Sequence, residues 1–281
     1  MKGTGIALGV GLGYREELDA QLDANLSKVD FLEIVGDQCF DLAMRKRIVG
    51  WSRRLPTVCH FLGLSLGTDE ALDERYVRAV EGVLQEIQPV WFSDHLAVTR
   101  VQDVELGHLS PVAFTDETVE IVARKAAAVQ RRCRLPFLLE NISYHFVMPG
   151  ASLAEWDLLS RVVEAADCGL LLDLNNLYVN ATNHGYDPYE FLRNIPLDRV
   201  VQVHIAGATE RDGVLIDSHA DSVSDEVFEY LDYLCRHSAI SAVLLERDRN
   251  FPPFDELAHE MTRARSSLLR SRGGIRGRGG V

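Results

Sequence analysis

The chain has 281 residues, of which 47% are hydrophobic, 25% charged and 8% aromatic. These fractions are typical of a globular protein and exclude a largely disordered or fibrous chain. The formal net charge is −13, and it becomes −19 without residues 263–281, because removing their six arginines leaves 23 basic against 42 acidic residues. An acidic body of this kind argues against nucleic acid as a partner.

Neither the N-terminal sequence nor any later stretch predicts a membrane protein. The beginning of the chain, MKGTGIALGVGLGYREELD, has a short apolar stretch but lacks the small-residue cleavage site of a secretory signal. No apolar run approaches the ~20 residues that a helix needs to span a bilayer. We therefore predict no membrane association and a cytoplasmic location.

Short apolar runs alternate along the chain with amphipathic segments. Eight runs have the length and composition of strands: Ile6–Val10, Phe31–Val35, Thr57–Phe61, Val90–Asp94, Phe137–Glu140, Gly169–Leu174, Val200–Ile205 and Ala242–Glu246. The clearest helical segments between them are residues 73–87, 115–132 and 153–166. Strand–helix alternation predicts an α/β protein with a parallel sheet covered by helices. Eight such units predict a (β/α)8 TIM barrel.

The chain is predicted to form a single domain. A doubly wound dinucleotide-binding sheet is disfavoured, because GVGLG at residues 9–13 lacks the third glycine of the GxGxxG fingerprint. No proline- or serine-rich linker divides the sequence, so we place the barrel domain at residues 1–264. Residues 265–281, which end in GGIRGRGGV, are rich in glycine and arginine and are predicted to form a disordered tail.

Residues able to bind a metal stand at the ends of most predicted strands. His60, His95, Glu140, Asp173, His204 and Glu246 end or directly follow strands, and Asn176, Asp217 and His219 come shortly after two of them. In a parallel barrel these strand ends meet at the C-terminal mouth, where barrel enzymes place their active sites. Carboxylates and imidazoles gathered there need a compensating charge. A set without sulfur suits iron, manganese or zinc, and nine residues are enough for two or three ions.

Several longer runs resemble one known family. The runs SDHLA, LLENISY, LDLNNLYVNATNHGYDP, VVQVHIAGA, DGVLIDSH and LLERDRNFP are similar, in order and spacing, to those of the multinuclear non-heme iron-dependent oxidative enzymes, which include the methanobactin-biosynthesis oxidase. The resemblance covers about residues 3–262. It implies a TIM barrel with two or three iron ions at its mouth that oxidises a ribosomally synthesised precursor peptide with dioxygen. It also implies a partner protein that binds the leader peptide, and the acidic body favours a basic partner or leader.

The same resemblance implies roles for individual residues. The implied metal ligands are His60, His95, Glu140, Asp173, Asn176, His204, Asp217, His219 and Glu246. Glu140 would bridge two ions. Apart from the resemblance, our working mechanism makes Asp248 and His184 candidates for moving protons during the reaction. The chain departs from the family at one place: many members read HxAGH after strand 7, whereas this chain has Ala208. That departure weakens the prediction that every metal site is filled.

Two other functions fit the same residues. A zinc- or manganese-dependent TIM-barrel isomerase or phosphodiesterase would use similar His, Asp and Glu ligands. A non-catalytic protein that binds metal and peptide is the second alternative. Iron content and dioxygen consumption distinguish both from a peptide oxidase.

Overall fold

The protein is described by a computed structural model that covers residues 6–275, with side chains to residue 270. Its strands are β1 (Gly9–Gly13), β2 (Leu32–Val35), β3 (Thr57–His60), β4 (Phe92–His95), β5 (Val98–Val101), β6 (Val104–Ser110), β7 (Phe137–Glu140), β8 (Gly169–Asp173), β9 (Val200–Ile205), β10 (Ala208–Arg211), β11 (Val214–Asp217) and β12 (Ala242–Leu245). Eight of them form a closed barrel in the order β1–β12–β9–β8–β7–β4–β3–β2. Their pairings are parallel. The predicted TIM barrel is confirmed.

Helices cover the outside of this barrel. They are α1 (Asp19–Ala24), α2 (Leu42–Ser52), α3 (Glu74–Ile87), α4 (Asp116–Cys133), α5 (Glu155–Ala166), α6 (Leu174–His184), α7 (Pro188–Asn194), α8 (Asp225–His237) and α9 (Phe254–Ile275). The three predicted amphipathic segments correspond to α3, α4 and α5. Thr115 caps α4 by accepting a hydrogen bond from the backbone N–H of Thr118 at 3.2 Å. Within residues 6–275 no helix is both long and apolar enough to cross a bilayer.

The inside of the barrel is built in two layers that follow from strand alternation. Side chains two apart on a strand point to the same face. An apolar layer fills the lower interior and consists of Phe31, Val58, Trp91, Leu138, Leu171, Val201, Ala242 and Leu244. On several strands the residue two positions later is polar: Val58 precedes His60, and Leu138 precedes Glu140. The polar groups at the mouth therefore rest on a packed apolar floor.

The first strand lies three residues later than predicted, at Gly9–Gly13 instead of Ile6–Val10. A glycine of this strand makes space inside the barrel. A Cβ atom added to Gly11 would come within 2.5 Å of the Phe31 ring. Glycine in this strand therefore allows Phe31 to fill the floor of the barrel, a requirement that local sequence does not reveal.

Two antiparallel hairpins extend the mouth. The hairpin β5–β6 follows β4, and β10–β11 follows β9. The first is tied to the loop after β3, because the backbone N–H groups of Thr99 and Arg100 both donate to Ser65 Oγ, at 2.9 and 3.0 Å. The buried Lys125 holds the same loop by donating to the carbonyl oxygens of Ser65 and Thr68. These contacts anchor the segment that follows His60.

The C-terminal helix corrects the predicted domain boundary. Helix α9 continues to Ile275, and Ser267 and Leu268 are only 2% and 5% exposed. The boundary at residue 264 is therefore too early, since residues 265–275 continue the helix instead of forming a disordered tail. The local excess of arginine and glycine hid the apolar positions that dock this helix. Residues 276–281 of the predicted tail lie outside the described residues.

Candidate metal centre

Two histidines and a glutamate form a compact triangle at the ends of β3, β4 and β7. His60 Nε2 and His95 Nε2 are 3.2 Å apart, and each lies 3.3 Å from Glu140 Oε2. All three side chains are buried. With this spacing a single cation can contact all three atoms at about 2.0–2.2 Å, the usual metal–ligand distance of first-row ions. The first metal group is therefore His60, His95 and Glu140.

The other oxygen of Glu140 belongs to a second group. Glu140 Oε1 lies 3.2 Å from Nδ1 of His204, which is fully buried on β9. The same nitrogen is 3.9 Å from Asp173 Oδ2, and these residues can together hold an ion. Glu140 thus presents one oxygen to each group, which is the arrangement of a bridging carboxylate.

A third group, formed by Asp173, His219 and Glu246, adjoins the second. Glu246 Oε2 lies 3.3 Å from His204 Nδ1 and 3.5 Å from His219 Nδ1. On the other side of the ring, His219 Nε2 lies 2.7 Å from Asp217 Oδ1. The structure therefore joins the three groups into one continuous cluster.

The two remaining predicted ligands border this cluster. The backbone N–H of Asn176 donates to Asp173 Oδ1 at 2.7 Å, so Asp173 caps α6 with one oxygen and turns the other toward the cluster. Asn176 itself is buried and lines the cavity at the mouth. Asp217 accepts from Asn175 Nδ2 at 2.6 Å and contacts His219. All nine predicted ligands thus lie at the same end of the barrel.

Burial and nearby carboxylates act in opposite directions on the histidines. Burial alone lowers the pKa of an imidazole, but the charges of Glu140 and Asp94 raise the pKa of His95 overall. Against the same effect of burial, Glu33 and Glu140 raise the pKa of His204 well above its ordinary value. Without a metal, protonated histidines therefore balance the buried carboxylates.

The carboxylates respond to the same charges. Burial opposes ionisation, yet the surrounding histidines lower the pKa of Glu140 to about 2. Against its own burial, Glu246 has a pKa well below its ordinary value because of His219. Asp173 shows the opposite effect, since burial and the charge of Asp217 raise its pKa to about 8. Metal ligands must be deprotonated, so metal binding here would release protons.

Several buried polar atoms of the cluster lie close to other cluster atoms but form no hydrogen bond of acceptable geometry among the described residues: His95 Nδ1, Glu140 Oε2, Asp173 Oδ2, Asn176 Oδ1, His204 Nδ1 and His219 Nε2. Leaving a buried polar atom unpaired costs roughly 1–3 kcal/mol, so native proteins seldom gather several in one place. Three of them, Glu140 Oε2, Asp173 Oδ2 and His204 Nδ1, belong to the metal groups and have lone pairs that a cation could contact. The donor set therefore fits a group of bound metal ions.

Two residues at the mouth were not predicted as part of the site. Arg15, just after β1, donates through Nη2 to Glu246 Oε1 at 3.0 Å and also pairs with Asp248. Glu33, at β2, lies 3.0 Å from His204 Nε2. No pattern in the sequence indicated that Arg15 belongs to the site. Glu33 stands at a strand end like the predicted ligands, so its position could have indicated it.

The two candidates for proton transfer differ in position. Asp248 lines the cavity, and its Oδ2 lies 3.2 Å from His219 Nδ1. His184 is located behind the wall of the cavity. Its Nε2 lies 3.0 Å from the carbonyl oxygen of Tyr144, and its ring stacks on that of Tyr144 at a centroid distance of 4.6 Å. These contacts join His184 to a wall residue and not to the cluster, so they do not support a role in proton transfer.

A cavity of about 1160 Å³ lies over the cluster. His60, His95, Glu140 and Glu246 are at its base, and parts of β6 and of the loop after β7 form its walls. His108 and His145 are exposed and also line this cavity. The volume exceeds the roughly 300–1,000 Å³ of ordinary small-molecule pockets, which leaves room for an extended substrate.

Relatives of known sequence match nearly the whole chain. A UPF0276 protein of Pseudomonas aeruginosa is 38% identical over 267 residues, covering 94% of this chain and 93% of the relative. One from Caulobacter vibrioides is 35% identical over 269 residues, covering 95% and 96%. These names state no activity.

Solved structures share the fold. Endonuclease IV from Thermus thermophilus has a TM-score of 0.60 at 17% identity, covering 93% of this chain and 99% of that one. A D-tagatose 3-epimerase-like protein has a TM-score of 0.58 at 14% identity, covering 96% and 98%. At such low identities the likeness concerns only the architecture of the barrel.

The family model described as RiPP precursor modification enzyme MbnB/TglH/ChrH matches residues 9–269, which is the barrel together with most of α9. RiPPs are ribosomally synthesised and post-translationally modified peptides, so the family name specifies a precursor peptide as the substrate. The match includes every residue of the three metal groups. This chain belongs to the MbnB/TglH/ChrH family of RiPP precursor modification enzymes.

Proposed function

We propose that this protein oxidises a ribosomally synthesised precursor peptide in a reaction that depends on iron and dioxygen. The observation that carries the proposal is the triangle of His60, His95 and Glu140 at the base of the cavity. Two histidines and one carboxylate on one face of an ion are the ligand set of non-heme Fe(II) oxygenases. Neighbouring groups that share Glu140 and Asp173 extend this set to more than one ion.

The metal and the side chains would have different roles in the reaction. Bound iron would supply dioxygen activation and electron transfer, which amino-acid side chains cannot provide. His60 and His95 would hold one ion through Nε2, and Glu140 would link it to the group of His204 and Asp173. The buried base keeps these ligands in place on the apolar floor, and the cavity leaves one side accessible to substrate.

A third ion is part of the proposal. Asp173, His219 and Glu246 would hold it, with Asp217 and Asn176 beside them. Ala208, which stands where many family members have a histidine, pairs with Asp217 at the start of the β10–β11 hairpin. We therefore propose two or three iron ions per chain, and occupancy of the third group decides between these two numbers.

Asp248 is the side chain that we propose for proton transfer. It lines the cavity, is partly exposed and contacts His219, so it can exchange protons between solvent and the cluster. Arg15 pairs with the same carboxylate and keeps it directed toward the mouth.

The walls of the cavity indicate how a peptide would approach. Among the described residues, four lining carboxylates are not candidate ligands (Glu17, Asp37, Glu105 and Asp248), and Arg15 is the one arginine in the same lining. Phe146 and Val147, in the loop after β7, are 57% and 46% exposed at this rim. Exposed apolar side chains beside a functional cavity are typical of an interaction surface. We propose that a basic precursor, presented by a leader-binding partner protein, docks against this rim.

The test uses the full chain, expressed with and without a short peptide and a partner protein encoded next to its gene. The protein is loaded with Fe²⁺ under anaerobic conditions and then exposed to dioxygen, and peptide mass and dioxygen consumption are measured. A mass change that requires both iron and dioxygen is expected. Stoichiometric zinc after iron-replete expression would favour a hydrolase or isomerase. Bound iron without any peptide modification would favour a binding protein.

The partner has a separate test. We expect the neighbouring gene product to co-purify with the barrel and to accelerate modification, and Phe146→Ser to weaken binding of the precursor. Modification at full rate by the iron-loaded barrel alone would contradict the requirement for a partner. The cytoplasmic location stays a prediction.

A further inference from the structure

We propose that Glu33 is a positioning residue that keeps the ring proton of His204 on Nε2, so that Nδ1, which faces the metal centre, keeps its lone pair. The inference rests on the proposed metal site, and it concerns a side chain outside all three metal groups. Glu33 lies on β2 and His204 on β9, and the two strands are not neighbours in the barrel. Their side chains meet across the interior, 171 residues apart in sequence, with Oε2 and Nε2 separated by 3.0 Å.

A chain of hydrogen bonds fixes the orientation of the groups around this pair. Trp91 Nε1 donates to Gln202 Oε1 at 2.6 Å. An indole N–H can only donate, so the amide oxygen of Gln202 must face Trp91. The amide nitrogen then points to the other side, where it donates to Glu33 Oε2 and lies 2.9 Å from His204 Nε2.

These neighbours favour different forms of His204. The amide N–H of Gln202 could donate to a lone pair on Nε2, which would leave the proton on Nδ1, the side of the cluster. The Glu33 carboxylate can only accept, so it favours a proton on Nε2 and a lone pair on Nδ1. Only the second form can bind a metal through Nδ1. Water has little access to these groups, because Glu33 is only 4% exposed and the other three side chains, Trp91, Gln202 and His204, are fully buried. Glu33 therefore decides which ring nitrogen of His204 carries the proton.

The arrangement has a general precedent in metal sites. A ligating histidine usually donates its second ring N–H to a carboxylate or carbonyl, which fixes its orientation and makes it a better ligand. Loss of such an outer partner typically weakens metal binding by about 10–100-fold. Because His204 belongs to only one of the three groups, the loss should affect one metal equivalent and not the whole cluster.

The experiment is an anaerobic calorimetric titration of the metal-free full chain with Fe²⁺, together with Mössbauer spectra of the loaded protein. Glu33→Gln should weaken one equivalent by about 10–100-fold, change the spectrum of one iron population and leave the others as they are. Glu155→Gln is the matched control, because Glu155 is also buried but bonds to Tyr144 and not to the cluster. It should bind iron like the wild type. Glu33→Asp, which keeps the charge but shortens the reach, serves if Glu33→Gln does not fold.

A double exchange separates positioning from a general structural role. Glu33→Gln combined with Gln202→Glu moves the carboxylate to a place 2.9 Å from His204 Nε2 while Trp91 can still donate to it. We expect the weakened equivalent to recover. Wild-type affinity in Glu33→Gln, equal weakening of every equivalent, or no recovery in the double exchange would each overturn the inference. A wild-type protein that binds no iron would instead refute the proposed function.

Discussion

Replacing Glu140 with glutamine should disrupt two metal groups at once. The carboxylate gives Oε2 to the group of His60 and His95 and Oε1 to the group of His204. Glutamine keeps the size of the side chain but removes the charge and one of the two acceptor oxygens. One group then loses its oxygen ligand altogether, and the other keeps only a neutral amide oxygen in place of the carboxylate.

The expected size of the loss follows from this sharing. Removing an outer hydrogen-bond partner costs about 10–100-fold in metal affinity, and removing a ligand atom should cost more. The histidines around Glu140 lower its pKa to about 2, so the wild type provides a full negative charge at neutral pH. We therefore expect the retained iron to fall by two equivalents per chain, and any iron that remains to be bound by Asp173, His219 and Glu246.

The assay is elemental analysis after anaerobic loading with Fe²⁺ and desalting. Asp217→Asn is the matched comparison, since it also exchanges a carboxylate for an amide at the mouth but lies outside the three groups. It should lose at most one equivalent. Circular dichroism confirms that each variant is folded.

One result would refute the bridging role. If Glu140→Gln and Asp217→Asn lose the same fraction of iron, or if Glu140→Gln loses only one equivalent, Glu140 does not join two ions. The distances of 3.2–3.3 Å around it would then reflect hydrogen bonding of a metal-free cluster.

Three further predictions concern stability. Arg15→Gln should destabilise the metal-free protein by about 1–3 kcal/mol, because it loses the bonds to Glu246 and Asp248. Bound Fe²⁺ should reduce that loss in thermal melts, since the ions supply the missing positive charge. An equal loss with and without iron would contradict this. Burial raises the pKa of Glu155 from 4.5 to about 7, so the folded protein holds a proton that the unfolded chain releases. Between about pH 4.5 and 8 the wild type should therefore lose roughly 3 kcal/mol of stability relative to Glu155→Gln, as measured by urea unfolding. Parallel pH profiles of the two proteins would refute the pKa shift. Truncation after Ala264 removes the buried Leu268 and should lower the free energy of unfolding by about 2–3 kcal/mol. Truncation after Ile275 is the control and should leave the melting temperature unchanged. Equal melting temperatures of the two truncated proteins would show that this helical segment does not support the fold.

Local sequence patterns determined most of the barrel and the ligand types. Alternation along a strand has a period of two, so an apolar residue followed two positions later by a polar one predicts a buried floor with a functional layer above it. Val58 with His60 and Leu138 with Glu140 show this pattern. The same locality explains the errors. The first strand is predicted three residues too early, since glycine at position 11 is needed to make room for Phe31, which lies just before β2 and outside the local sequence.

Tertiary structure alone decided how these residues combine. That Glu140 serves two groups depends on which strand ends meet after closure, and a sequence shows only that each end is polar. Arg15 reaches Glu246 across 231 positions, and Glu33 reaches His204 across 171. Such contacts have no local periodicity, since they depend on the register and closure of the entire barrel. The sequence therefore determined which chemical groups stand at the mouth, whereas closure of the barrel decided which of them share an ion and which hold the others in place.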